Sequence, residues 1–149
     1  MRVMVLVKAD ADSEAGRMPP PELLEAMMNF NEELTKAGVL VSGDGLKPTS
    51  QGVRVHFSGS RRTVTKGPFA AISELVAGFW IWEVDSMEQA VEWVKRCPNP
   101  QLSDSDVEIR PFYTIEDFAE ILTPAIDAQA RRIDAEVERQ HGRSMPPGA

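Results

Sequence analysis

Gly78-Phe79-Trp80-Ile81-Trp82-Glu83-Val84 decides how the rest of this chain is read. Alternation puts Trp80, Trp82 and Val84 on one side of an extended strand and Phe79 and Ile81 on the other, with Glu83 the one charged residue. A strand apolar on both sides needs cover on both. Just upstream, Val64-Thr65-Lys66-Gly67-Pro68-Phe69 reads as the end of a strand entering a rigid turn that places Lys66 and Phe69. Its single glycine is too little for a phosphate loop. Just downstream, Ser86 and Gln89 form a capping-box pattern, and Met87, Ala90, Val91 and Val94 mark a helical stripe reaching Cys97, where Pro98 ends it. The Asn99-Pro100 turn then leads to Val107-Glu108-Ile109-Arg110-Pro111, a strand with Val107 and Ile109 on one face and Glu108 and Arg110 on the other.

Toward the N-terminus, Arg2 to Lys8 is a second strand apolar on both faces. A loop from Ala9 to Met18 precedes Pro19-Pro20-Pro21, well placed to open a helix because proline lacks only a donor that would be unpaired there. Leu23, Met27, Phe30 and Leu34 recur at helical spacing, Glu22, Glu25 and Lys36 suit the helix dipole, and Gly38 supplies the stop. Gly43, Gly45, Pro48 and Gly52 read as turns. Val53, Val55 and Phe57 then alternate with Arg54 and His56 as in a half-buried strand, and Ser58-Gly59-Ser60 reverses the chain toward Arg61 to Thr65, a hairpin.

The expected class is therefore α+β: a ferredoxin-like βαββαβ antiparallel sheet with helices on one face. A second copy of the chain would cover the other face, giving a homodimer, a dimeric α/β barrel. Beyond Pro111, Thr123-Pro124 is a further helix start, and Ile126, Ala130, Ile133 and Val137 make a narrow apolar seam on an otherwise charged helix, suited to docking on its own core or across the dimer. The expected organisation is one domain over residues 1–113, a helical extension over 114–142 and a flexible tail over 143–149, within a frayed end that Gly142, Pro146, Pro147 and Gly148 mark.

Composition narrows the function. At 149 residues one domain buries about 68–70% of its unfolded surface without staples. The lone Cys97 excludes an intramolecular disulfide, and two distant histidines, His56 and His141, argue against a Cys/His metal site. No apolar run reaches the roughly 20 residues of a membrane span and the N-terminus lacks a secretory pattern, so the expectation is a cytoplasmic protein away from membranes. A net charge of −7 argues against nucleic acid. Arg54, Arg61, Arg62 and Lys66, joined by His56 when protonated, form a local cationic cluster that reads either as a site for a small anion or as a solvated hairpin whose charges discourage edge pairing.

Gly52-Val53-Arg54-Val55-His56-Phe57, Lys66-Gly67-Pro68-Phe69, the tryptophan strand, Ala90-Val91-Glu92-Trp93 and Glu108-Ile109-Arg110-Pro111 together resemble the DGPF-domain branch of the YCII-related proteins, over residues 1 to 113. The resemblance implies the dimeric ferredoxin-like fold. It implies no fixed reaction: most members have none assigned, some accompany extracytoplasmic-function sigma factors, and a few relatives act on small aromatic or lactone substrates. Lys66 stands where the family carries its signature aspartate. The wider group's histidine and aspartate fall by register at about Met27 and Cys97, so that dyad is absent here.

Two functions follow from these residues. In the first, a binding or regulatory module, Arg54, Lys66 and Arg110 hold a small anionic ligand, Arg110 gripping a carboxylate in two-pronged fashion, with Trp80 and Trp82 favouring a planar body if they line a cavity rather than the core or dimer interface. In the second, a cofactor-independent isomerase, lyase or hydrolase, Glu83 or Glu108 moves a proton with His56 as relay. Each catalytic reading has a structural rival: a rim or ion-paired carboxylate for Glu83, pairing with Arg110 or a strand neighbour for Glu108, and an exposed or sheet-face histidine for His56. Trp93 and Cys97 read as core residues, and haem is disfavoured because His56 sits on a hairpin strand. No cofactor or metal is expected, and whether a bond changes at all stays open.

Overall fold

The structure is a computed structural model describing residues 1–142; the tail expected over 143–149 lies outside the described residues. Two compact units divide at Pro111 and Phe112.

The first unit runs β1 (Arg2–Lys8), α1 (Ala11–Glu14), α2 (Pro21–Lys36), β2 (Leu40–Gly45), β3 (Val53–Ser58), β4 (Arg61–Lys66), β5 (Val76–Glu83), α3 (Met87–Arg96) and β6 (Val107–Pro111). A four-stranded antiparallel sheet has the order β2-β5-β1-β6. This is the ferredoxin-like arrangement, with one correction to the expected strands. The hairpin of β3 and β4 is not part of it but forms its own two-stranded sheet, and β2, read as turns because of Gly43 and Gly45, takes the edge beside β5.

Register explains the layering. Val3 faces Trp82, Val5 faces Trp80 and Val7 faces Gly78, and these side chains meet Phe30 and Leu34 of α2 and Ala90 of α3 in one core. Both long helices therefore cover the same sheet face. Phe30 packs edge-on against Trp80, Trp82 and Trp93 at centroid separations of 6.3–6.4 Å, a favoured geometry for aromatic quadrupoles. On α3 the expected stripe shifts by one turn position: Val91 is exposed, and Trp93 packs against the core in its place, its ring also stacked by Arg96. Arg96 in turn bonds Glu33 at 2.6 Å, fastening α3 to α2.

On the opposite face two cross-strand rows form, Asp44-Phe79-Leu6-Glu108 and Ser42-Ile81-Met4-Arg110. Their apolar centres are only partly buried.

Every residue of β3 and β4 is exposed, Phe57 to 67%, which corrects the half-buried reading of this pair. Among the described residues, it is fastened at its root. Thr49 bonds Glu14 through both its amide and its hydroxyl, accepts from the Phe69 amide at 3.1 Å, and crowds Gly67, where any Cβ would collide with the Thr49 carbonyl.

In the second unit a short 3-10 turn (Ile115–Phe118) precedes α4 (Pro124–His141), which Thr123 caps at Ile126 and Gly142 ends at a φ of 62°. Ile126 and Ile133 of its seam are about half exposed. No described helix is long and apolar enough to cross a membrane.

Candidate ligand-binding cleft

A cleft of about 500 Å³ opens between the first half of α2 and the sheet where β5 begins and β2 ends. That volume is in the range of small-molecule sites. Its floor is made by three glycines. Gly45 lies opposite Gly78 and Gly43 opposite Trp80, all on the helix-covered side. The absence of side chains there is enforced at two of them: a Cβ on Gly43 would lie 2.5 Å from Trp80 Cδ1, and one on Gly78 would lie 3.1 Å from the Asp44 carbonyl oxygen. At Gly45 a Cβ would meet nothing within 4 Å.

The walls are largely apolar. Leu23, Leu24, Met27 and Met28 come from α2, whose unbranched methionines adapt to irregular shapes. Opposite them stand Pro100, Gln101 and Leu102 of the loop before β6. That loop is tied down by Gln101, whose side-chain amide donates to the Lys8 carbonyl at 2.7 Å, and by Ser103, whose hydroxyl donates to Asp10 at 3.0 Å. Burial raises the Asp10 carboxyl pKa, but the Ser13 amide and the Ser103 and Ser13 hydroxyls outweigh it and hold the group below its ordinary value.

Polar groups in the cleft are few and mostly engaged. Asp12 and Arg17 pair with each other at 2.5 Å, Arg17 largely exposed at the mouth. Ser13 is occupied by the Asp10 capping box. Trp80 donates its indole N–H to Asn31 Oδ1 at 2.9 Å, joining sheet to helix beside Gly43.

The residues singled out from sequence fall elsewhere, Trp80 excepted. Trp82 is fully buried in the core and its indole nitrogen has no acceptor among the described residues. Arg54, His56 and Lys66 are on the exposed hairpin, Arg54 stacked 3.9 Å over the Phe69 ring. Arg110 and Glu108 are on the outer sheet face, where Glu108 reaches Lys8 at 3.9 Å. Glu83 is exposed at the end of β5 and pairs with the Met1 amine at 3.2 Å, the rim reading rather than the buried one. None of Glu83, His56 and Glu108 borders the cleft. At the two dyad positions, Met27 borders it, while Cys97 packs against the core with its thiol pushed up to about 11 by burial.

The cleft residues missed from sequence are Asn31, Gly43, Gly45 and Gln101. Asn31 carried a signal: it follows Met27 by four residues, a polar side chain on an apolar stripe.

Sheet order, helix placement and this cleft define a ferredoxin-like α+β domain. The model of the YCII-related domain matches residues 1–113, and the chain belongs to that family. An uncharacterized protein of Rhizobium meliloti (strain 1021) is 29% identical over 76 residues, which is 51% of this chain and 61% of that one. The chain thus spans about three fifths of that relative's length. A solved structure, 5-chloro-2-hydroxyhydroquinone dehydrochlorinase from Burkholderia phenoliruptrix AC1100 in complex with 2,5-dihydroxybenzoquinone, aligns over 76% of this chain and 95% of its own at 16% identity and a TM-score of 0.44.

Proposed function

We propose that the chain is a small-molecule-binding domain whose ligand occupies the cleft beneath α2. The observation that carries this reading is the glycine floor: in a sheet that otherwise fills its helix side with tryptophan and valine, side chains are missing where the apolar walls part. The lining suits a flat, neutral body rather than the anion expected from Arg54, Lys66 and Arg110. Arg17, the cation among the lining residues, is already paired with Asp12, so the cleft offers no free positive charge to an anion. A catalytic role for Glu83, His56 and Glu108 finds no support in their separate positions. Two copies packing through the outer sheet face, over Phe79, Ile81, Met4 and Leu6, would provide the cover those residues call for.

A thermal-shift screen of flat neutral compounds against small carboxylates and phosphates tests the site, since a ligand at 100 times its Kd stabilises by about 2.7 kcal/mol. Hits should come from the neutral set, survive Arg54→Ala, Lys66→Ala and Arg110→Ala, and vanish in Gly45→Leu, which fills the floor without a Cβ clash. Hits kept in Gly45→Leu would refute the cleft as the site. Sedimentation tests the second part: a dimer that Ile81→Lys converts to monomer is expected, and a monomeric unaltered chain at tens of micromolar would refute it.

A further inference from the structure

We propose that Asn31 reads the ligand, donating a hydrogen bond from its side-chain NH2 to an acceptor oxygen, and that the class of ligand is therefore a neutral ring compound bearing a carbonyl. The inference rests on the cleft being the binding site and adds which atom selects what enters it.

The argument begins with Trp80. An indole N–H donates and never accepts. With Trp80 Nε1 at 2.9 Å from the Asn31 amide, the atom facing it must be oxygen, because the flipped amide would oppose two donors. The amide's orientation is thus set by chemistry, and both N–H bonds of Asn31 are directed away from the indole. Trp80 itself is held by Phe30, Trp82 and the close approach of Gly43, so the anchor is rigid.

The NH2 group bonds no acceptor among the described residues, and Asn31 borders the cleft beside Trp80 and Gly43. Other polar groups offer little competition as donors. Arg17 is engaged by Asp12 and largely exposed, Ser13 serves the α1 cap, and the Gln101 amide nitrogen donates to the Lys8 carbonyl. A ligand entering between the methionines and the glycine floor therefore meets a preset donor on a largely apolar surface whose other side-chain donors are engaged. A carbonyl oxygen in the plane of a flat ring satisfies that donor without bringing a charge into a cleft whose walls are largely apolar and whose Asp12 and Arg17 already pair. An equally shaped hydrocarbon leaves it unpaired, and a neutral hydrogen bond of this kind is worth about 1 kcal/mol, so discrimination of about five- to tenfold is expected.

The test titrates the full chain, labelled with nitrogen-15, with 1-indanone and with indane, which differ by the carbonyl alone. Asn31→Asp and Trp80→Phe identify the Asn31 side-chain amide and Trp80 indole signals. The ketone should move the Asn31 amide signals and bind about five- to tenfold tighter than indane. In Asn31→Asp, which keeps an oxygen for the indole but has no NH2, that preference should disappear while indane binding persists. Equal binding of the two compounds to the unaltered chain, or a ketone preference that survives in Asn31→Asp, overturns the role of Asn31 and leaves the cleft reading standing. If neither compound perturbs a cleft signal, the cleft reading fails and this proposal with it. Where Asn31→Asp does not fold, triple-resonance spectra of the unaltered chain assign the Asn31 amide, and its response to the ketone against indane remains decisive.

Discussion

Gly43→Ala and Gly45→Ala, two residues apart on β2, should change stability in opposite directions. Both glycines lie outside the left-handed region, so neither substitution strains the backbone, and only the surroundings differ. At Gly43 the new Cβ would stand 2.5 Å from Trp80 Cδ1 and 3.0 Å from the Phe79 carbonyl oxygen, whereas ordinary contact begins at 3.4 Å. The ring must withdraw by roughly 1 Å, comparable with the displacements that make overpacked cores lose about 1–3 kcal/mol. Cδ1 is bonded to Nε1, so this shift also disturbs the 2.9 Å bond to Asn31, at a further cost of about 1 kcal/mol if the bond is lost. The sum is a loss of about 2–4 kcal/mol. At Gly45 the methyl meets open space, and reduced freedom of the unfolded chain should stabilise by about 0.5 kcal/mol. Urea unfolding followed by tryptophan fluorescence at fixed protein concentration reads both. With a slope of about 2 kcal/mol/M, the midpoint should fall by roughly 1–2 M in Gly43→Ala and rise by about 0.2–0.3 M in Gly45→Ala. Midpoints that move together, or a Gly43→Ala shift within error of zero, would refute the packing account of the floor.

Leu34→Ala removes a fully buried side chain from the centre of the core and should cost about 2–5 kcal/mol in the same urea experiment. Trp82→Phe should cost less than Leu34→Ala despite the greater volume of the residue, because it also removes a buried indole N–H that has no acceptor among the described residues; a larger loss would show that the N–H is satisfied in solution. The Cys97 thiol, raised to about 11 by burial, should react with a thiol reagent at pH 8 about 100-fold more slowly in the folded chain than in urea, measured by timed alkylation and mass spectrometry. The sign for stability follows: the folded state keeps a proton that the unfolded chain releases from about pH 9.0, so stability falls as pH rises from there toward 11, a slope Cys97→Ala should abolish. Glu83→Gln, at an exposed carboxylate, should shift the urea midpoint by no more than about 0.5 M.

The strands that form the centre of the sheet were legible because they repeat one signal, apolar residues on both alternating faces, and the helix beginning at Pro21 announced itself by proline, spacing and a glycine stop. β2 was not legible for a reason that lies outside it. Its glycines look like turn residues when read alone, and only the indole crossing from Trp80 explains why this edge strand lacks a side chain at Gly43. The hairpin was correctly paired but wrongly placed, since alternation of Val53, Val55 and Phe57 with charged residues describes two faces without saying that either is covered. Charge drew attention to residues that the fold leaves outside the cleft. Arg54 and Lys66 stood out as unmatched cations, yet exposed charges need no partner, whereas Asn31, neutral and inconspicuous, is held in place by a donor that only the fold brings to it.

The exposed hairpin gives the molecule an electrical asymmetry that its average charge conceals. Residues 46–73 hold five lysines and arginines and no carboxylate, a formal +5 against −12 for the remainder within a total of −7. Because the hairpin is a separate, exposed two-stranded sheet, that positive charge is not spread through the four-stranded one. A charged surface therefore exerts a torque on the chain as well as a net force, turning the hairpin toward anions and the remainder toward cations before contact. The orientation acts within a screening length of about 8 Å at physiological ionic strength and is erased at high salt.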